Sequence, residues 1–181
     1  MKLLELINQR QSVRRYSSQA VEKEKIEQCL EAAYLSPSAC NAQPWKFIVI
    51  DDPELKNKIA RQTYDPIISF NRFVPQAPVI IAIVVEKSPI VPRVGGRIKD
   101  KPYYLIDIGI AAEHLCLQAT ELGLGTCMLG WFNEKAVKKL LNVPKERSMP
   151  LLISLGYPID DYPLRKKIRK AYESVRKYNS Y

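Results

Sequence analysis

The residues from Val79 to Val85 read VIIAIVV, which is the longest apolar run of the chain. All but one of these side chains are β-branched, which favours a strand. Neither the odd nor the even positions carry a polar group, so both faces of the strand must be covered, as in the centre of a sheet. A helix that crosses a membrane needs about 20 apolar residues, and the run is far shorter. The sequence therefore predicts a central strand with a layer of structure on each face.

Helical spacing of apolar residues and cap signals predict five helices around that strand. They are a short helix that ends near Arg10, a helix over 22–35, one that starts at Asp51-Asp52-Pro53, one from about Tyr104 to Leu122 that Gly123 ends, and one that Asn133 caps. The other strands are predicted at Phe47–Ile50, Thr126–Leu129 and Leu151–Leu155. This order predicts an α+β or three-layer α/β architecture in a single domain over 1–181, with 88–102 as a loop or lid.

Positive charge is concentrated at the end of the chain. The net charge is +9, from 28 Lys and Arg against 19 Asp and Glu. Residues 163–181 contain seven of the basic residues and one acid, so this basic tail holds +6 of that total. Such a tail suits a nucleic acid or an anionic membrane, and it equally suits one small phosphorylated ligand.

Several function classes are excluded or disfavoured. The N-terminus lacks the apolar region of a secretory signal, so a cytoplasmic protein with free thiols at its four cysteines is expected. His114 is the one histidine, which excludes a histidine-rich metal site, and no metal site is predicted. The chain lacks the GxGxxG and GxxxxGK[ST] patterns of two common nucleotide-binding folds.

Four segments could carry chemistry. Arg10 to Arg15 places two arginines and a serine on alternate positions, which could converge on one anion if the segment is extended. Residues 36–45 form a proline-stiffened loop of neutral donors and acceptors that suits the edge of a flat heterocycle. Residues 123–132 place Gly130 directly after a strand, where a ligand can approach the backbone. The basic tail is the fourth segment. Each also has a purely structural interpretation, as an exposed turn, a loop beside a core Trp45, a strand-to-helix turn or a solvated face.

In this order and spacing, the four segments resemble the flavin-dependent nitroreductase family over nearly the whole chain. The Pro-Ser-x-x-Asn-x-Gln-Pro-Trp pattern of residues 37–45 is the most specific of them. The resemblance implies a three-layer fold with a central mixed or antiparallel sheet and an intertwined homodimer. It also implies tightly but non-covalently bound FMN at the dimer interface, with NAD(P)H as co-substrate. The cofactor-binding residues that it implies are Arg10, Gln11, Ser12, Arg14, Pro37, Ser38, Asn41, Gln43, Asn71, Leu129, Gly130, Arg165, Lys167 and Arg169.

The resemblance also implies a role for each residue at the two ends of the flavin. Arg10 and Ser12 correspond to contacts with the phosphate and ribityl end. Arg14 corresponds to the cation near N1 and O2 of the ring, and the backbone at Leu129 and Gly130 to the groups near N5 and O4.

The remaining correspondences involve the loop and the tail. Pro37, Ser38, Asn41 and Gln43 correspond to a loop that reaches the flavin of the partner subunit, and Asn71 to an asparagine near the pyrimidine. The basic tail supplies a Lys-x-Arg pair, Lys167 and Arg169, for the phosphate, with Arg165 as the alternative in a shifted register.

The function implied is ping-pong hydride transfer through flavin N5, from NAD(P)H to a nitroaromatic, a quinone or a similar small acceptor. No side chain is expected to act as a catalytic acid or nucleophile. The same fold and flavin could also serve a flavin reductase, a dehydrogenase or a dehalogenase. Nucleic-acid binding is a remote alternative because the chain lacks recognisable reading motifs, and membrane binding is not expected.

Two departures from the family pattern concern specificity. Leu129 stands where better-known members have an acidic residue, so a contact to N5 would rest on the main chain. The 88–102 segment is short, which suggests an open pocket. Cys40 and Cys127 lie near the expected site and are predicted to be buried, inert thiols.

Overall fold

The computed structural model describes residues 2–67, 69–86 and 102–181. Four strands in this part of the chain form one sheet: β1 (Trp45–Ile50), β2 (Val79–Val85), β3 (Gly125–Leu129) and β4 (Leu151–Gly156). Their spatial order is β1–β2–β4–β3, and every neighbouring pair is antiparallel. The central position predicted for β2 is confirmed, because β2 pairs with β1 on one side and with β4 on the other.

The described residues also form the five predicted helices: α1 (Leu3–Gln9), α2 (Lys23–Tyr34), α3 (Pro53–Ala60), α4 (Tyr103–Glu121) and α5 (Glu134–Leu140). The predicted caps are confirmed. The Asp52 carboxylate accepts a hydrogen bond from the Leu55 N–H at 2.8 Å, and Asn133 caps α5 in the same way. Gly123 follows α4 at φ 75°, the left-handed conformation that glycine adopts most easily after a helix.

Alternate side chains of β2 enter two different halves of the core. Ile80, Ala82 and Val84 pack in a cluster with side chains of α3 and α5. Val79, Ile81 and Ile83 pack in a second cluster with side chains of α2 and α4. Helices therefore cover both faces of the sheet, which confirms the α+β, three-layer arrangement.

Two details differ from the sequence prediction or lie beyond it. β1 begins at Trp45 rather than at Phe47, because Trp45 already pairs with Val85 of β2. Residues 88–101 of the predicted loop or lid lie outside the described residues. None of the described helices is long and apolar enough to cross a membrane.

Candidate functional site

The segment that follows α1 is extended and lies along the edge of the sheet. Ser12 forms a parallel bridge with Thr126 of β3, and the Val13 N–H donates to the Thr126 carbonyl at 2.8 Å. Val13 is buried against Gly125, where an added Cβ would lie 2.6 Å from a Val13 methyl carbon. Because side chains alternate along an extended chain, burying Val13 leaves Ser12 and Arg14 half-buried and exposed, respectively.

The basic tail returns to this same segment. The Gln11 amide donates to the Pro163 carbonyl at 3.1 Å and accepts from the Arg165 N–H at 3.1 Å. The Arg165 guanidinium donates to the Ser12 carbonyl, and the Lys167 ammonium donates to the Arg10 carbonyl. These hydrogen bonds bring the two ends of the chain together, as the predicted phosphate site would require.

The contacts between the basic tail and the extended segment bring several positively charged side chains close together. Partial burial and the charges of Arg10 and Arg169 lower the pKa of Lys167 below its ordinary value, while Glu113 opposes this effect. Glu113 also forms an ion pair with Arg10 at 3.2 Å. The neighbouring positive charges contribute to this lowering of the Lys167 pKa after partial burial, so an anion bound among the cations would be stabilised.

Cys127 of β3 lies close to the same set of cationic side chains. Burial raises the pKa of its thiol, and the charges of Arg14 and Arg165, with a hydrogen bond to Ser12, oppose that rise. The thiol of Cys127 is buried, as the sequence predicted. It marks where the extended segment, β3 and the basic tail meet.

The proline-stiffened loop is held in a strained conformation. Cys40, Asn41 and Gln43 have φ values of 52°, 53° and 45°, which non-glycine residues rarely adopt. Inside the loop the Gln43 N–H donates to the Ser38 hydroxyl at 3.0 Å, and the Gln43 side chain donates to the Asn41 amide oxygen at 3.0 Å. Pro37 is exposed. Strain of this kind often occurs at ligand-binding loops.

Helix α4 anchors that loop. The Ala39 N–H donates to the Asp107 carboxylate at 3.0 Å, and the Ser36 hydroxyl pairs with His114 Nδ1 at 2.8 Å. The structure does not join the loop to the cations: no hydrogen bond or ion pair between described residues connects the two. The expectation that this loop serves the partner's flavin stays a prediction.

At the end of β3 the backbone at Gly130 is accessible to a ligand. Leu129 is buried, whereas Gly130 is exposed, and nothing lies within 4 Å of the point where a Gly130 Cβ would stand. Asn71 is buried, and its amide nitrogen donates to the carbonyls of Thr63 at 3.1 Å and Trp131 at 3.2 Å. Both N–H groups of Asn71 are therefore used, and its amide oxygen is the atom left for a ligand.

Sequence reasoning missed four residues that support the site. Glu113 pairs with Arg10, and the Tyr162 hydroxyl accepts from the Arg14 N–H at 3.0 Å. Asp107 and His114 were missed as anchors of the loop. Asp107 could have been found, because it lies four positions before Ala111 on the apolar side of α4, where an acidic residue is unexpected.

One prediction about the cysteines is wrong. Cys40 is exposed, not buried. It lies in the 3-10 turn Ala39–Asn41 with a left-handed φ. Backbone geometry of this kind cannot be inferred from the residue types in the loop.

The chain was compared with known proteins. The sequence profile of the Nitroreductase family matches residues 7–72 and 69–157. A curated relative from Archaeoglobus fulgidus with the provisional name NADH dehydrogenase/NAD(P)H nitroreductase is 35% identical over 164 residues, which cover 87% of this chain and 86% of the relative. The iodotyrosine deiodinase of Thermotoga neapolitana is 27% identical over 202 aligned residues, which cover 100% of both chains.

A solved structure from the same family is similar to this chain in fold. The FMN-dependent nitroreductase of Clostridium difficile R20291 superposes with a TM-score of 0.79 at 28% identity, and the alignment covers 99% of this chain and 100% of that one. The similarity extends over the basic tail as well as the sheet and helices.

Proposed function

The chain belongs to the nitroreductase family, and from this premise we propose that it is an FMN-dependent oxidoreductase that uses NAD(P)H. When bound, FMN would supply the redox chemistry, accepting hydride from the nicotinamide and passing it to a second substrate. The protein's own residues bind and orient the cofactor and set the charge around it.

The observation that carries the proposal is the cation cluster at the meeting point of the two chain ends. Arg165 donates to the Ser12 carbonyl and Lys167 to the Arg10 carbonyl, and the charge of Arg169 acts on Lys167. Glu113 is the carboxylate that the described contacts bring to this cluster. Guanidinium groups match phosphate oxygens in pairs, and the hydroxyl adds a donor. The donor set and the depressed Lys167 pKa both fit a phosphate group.

We propose for Gln11 a structural role in addition to the cofactor contact that the resemblance implies. Its amide is engaged with Pro163 and Arg165, at 3.1 Å in each case. We therefore assign Gln11 to holding the basic tail beside the extended segment, and through it to shaping the phosphate site.

The ring end of the cofactor would lie at the end of β3. The open space at Gly130 allows a planar group to approach the backbone. The amide oxygen of Asn71 would accept from a ring N–H, since both of its N–H groups are used. Exposed Arg14 would place positive charge beside the ring and so favour electron uptake.

We propose that the working form is a homodimer, to which each chain contributes its loop of residues 37–43. Large apolar side chains of the basic tail are exposed, among them Leu164 (60%), Ile168 (89%) and Val175 (63%). Exposed apolar side chains that cluster on a surface often mark the place where a partner packs. A second copy would bury them.

The second substrate is proposed to be a small planar acceptor such as a nitroaromatic or a quinone. Trp131, next to Gly130, is 52% exposed and offers a flat apolar surface beside the site. The likeness to an iodotyrosine deiodinase over its whole length supports dehalogenation as the second candidate. Flavin reductase or dehydrogenase activity would use the same site.

Anaerobic reduction tests the proposal. Purified protein loaded with FMN is mixed with NADH or NADPH, and flavin absorbance is followed. We expect bleaching by at least one nucleotide and recovery of colour on adding a nitroaromatic, a quinone, free flavin or an iodotyrosine. The acceptor that restores colour fastest identifies the substrate class. Failure of both nucleotides to reduce the bound flavin would contradict the proposal.

The nucleic-acid alternative predicts a different use of the basic tail. Arg165 and Lys167 already donate to backbone carbonyls of the extended segment, which favours a local ligand over a long polyanion. Strongly salt-dependent binding of duplex DNA by the FMN-loaded protein would favour the alternative.

A further inference from the structure

The 37–43 loop cannot hold its conformation by local preference. Three of its residues, Cys40, Asn41 and Gln43, have left-handed backbone angles, although none is glycine. Such angles cost conformational free energy and persist when the surrounding structure fixes them. The hydrogen bonds from Gln43 to Ser38 and Asn41 stay inside the loop and do not attach it to the rest of the protein.

Two side chains of α4 make the attachment. Asp107 accepts from the Ala39 N–H at 3.0 Å, and His114 pairs with the Ser36 hydroxyl at 2.8 Å. Asp107 and His114 are two helical turns apart, so they lie on the same side of α4. They hold the loop at its entry and at the first residue of its 3-10 turn.

Asp107 is 4% exposed, which is unusual for an acidic residue. Among the described residues, no lysine or arginine forms an ion pair with it. Burying a carboxylate is unfavourable unless strong hydrogen bonds replace its water. The hydrogen bond to the Ala39 N–H is charge-assisted, and such bonds are stronger than those between neutral groups.

We propose that Asp107 is a positioning residue: it fixes Ala39 and thereby holds Ser38, Asn41 and Gln43 in the conformation that binds the flavin. This inference rests on the proposed FMN function and adds to it a residue that does not touch the cofactor. The same helix carries Glu113, which pairs with Arg10 at 3.2 Å. Helix α4 thus sets the positions of the loop and of the phosphate site together.

The test compares two variants that have the same number and branching of side-chain heavy atoms as aspartate. Asp107→Asn keeps an oxygen that can accept from the Ala39 N–H, whereas Asp107→Leu cannot accept. Thr120→Val, which removes a hydrogen bond to the Cys116 carbonyl elsewhere on α4, is the control for a general loss of stability. Asp107→Ser, whose shorter side chain does not span the contact, replaces the leucine variant should that variant not fold.

Three measurements are made on each variant. Hydrogen exchange of the Ala39 amide in the FMN-free protein reports the loop without any need for bound cofactor. Titration with FMN reports affinity, and the visible circular dichroism of the bound flavin reports its surroundings. We expect Asp107→Leu to raise Ala39 exchange at least about tenfold and to weaken FMN binding by about 10- to 100-fold, with an altered spectrum. Asp107→Asn should stay within about threefold of the wild type, since it keeps the acceptor.

Distinct results overturn distinct claims. Unchanged Ala39 exchange in Asp107→Leu, or changed exchange with unchanged FMN affinity and spectrum, would refute the positioning role. A loss of FMN affinity in Thr120→Val equal to that in Asp107→Leu would refute it as well. Absence of FMN binding by the wild-type protein would instead refute the proposed function, and the exchange data would still decide whether Asp107 holds the loop.

Discussion

Replacing Lys167 and Arg169 together by alanine should weaken FMN binding far more than it slows hydride transfer in saturated enzyme. Both cations are proposed to bind the phosphate, which is remote from the reacting part of the flavin. Lys167 is half-buried, and Arg169 is exposed. Their contributions to the binding free energy should therefore differ.

The magnitude follows from these exposures. A hydrogen bond to a charged group contributes about 1.5–3 kcal/mol when partly shielded from water, and less when it is exposed. For the pair we expect a loss of about 2–4 kcal/mol, or about 30- to 1,000-fold in Kd. Stability without FMN should change little, because the loss of the Lys167 hydrogen bond to the Arg10 carbonyl is offset by relief of the repulsion that, with partial burial, lowers the pKa of Lys167.

The assay is titration of FMN-free protein, followed by the quenching of flavin fluorescence. The control is the double variant Lys166→Ala with Lys170→Ala, which removes the same charge from exposed positions of the same tail. We expect the control to weaken binding by no more than about threefold, through general electrostatics. Equal losses in the two double variants, or no loss in the first, would refute the assignment of Lys167 and Arg169 to the phosphate.

Three further predictions concern packing, pH and thiol reactivity. Gly125→Ala should lower stability by about 1–3 kcal/mol and weaken FMN binding, because the new methyl would displace Val13 and the extended segment. Gly109→Ala, with nothing within 4 Å of its added Cβ, is the control. Both variants are compared with the wild type by thermal unfolding and by FMN titration. FMN affinity should fall as pH rises through the lowered pKa of Lys167, since the neutral amine must then take up a proton on binding. Lys167→Met should flatten this dependence of FMN affinity on pH. A thiol reagent should modify exposed Cys40 at once and the three buried cysteines only after unfolding, as thiol titration would record.

Each of these has an outcome that would contradict it. For the glycine pair it is an equal effect on FMN binding at the two positions. For Lys167 it is an affinity in the wild type that stays constant, or rises, toward alkaline pH. For the cysteines it is rapid modification of two or more thiols in the folded protein.

The sequence was sufficient where a pattern is local and repeated. The apolar run at Val79–Val85 predicted a central strand, and the structure has helices on both of its faces. The caps at Asp52 and Asn133 were predictable because each needs only a short stretch of chain. The resemblance named Arg10, Arg165 and Lys167 together, and hydrogen bonds attach Arg165 and Lys167 to the segment that carries Arg10.

Other features depend on contacts that local patterns do not encode. Gln11 bonds to Pro163 across 152 positions of sequence, so its part in holding the tail could not be inferred from its neighbours. The exposure of Cys40 depends on a left-handed backbone angle, and residue types alone predicted the opposite. The anchoring role of Asp107 needed the loop and α4 in their folded positions, although an acid on an apolar helix face was a signal.

The central claim is that the two ends of this chain form a phosphate site for a flavin cofactor. Parallel titrations of the cofactor-free protein with FMN and with riboflavin test it most directly, because the two ligands share the ring and differ in the phosphate. We expect FMN to bind at least about 100-fold more tightly than riboflavin, since several charge-assisted hydrogen bonds to the phosphate are lost with the latter. Equal affinities, or binding of neither ligand, would contradict the account.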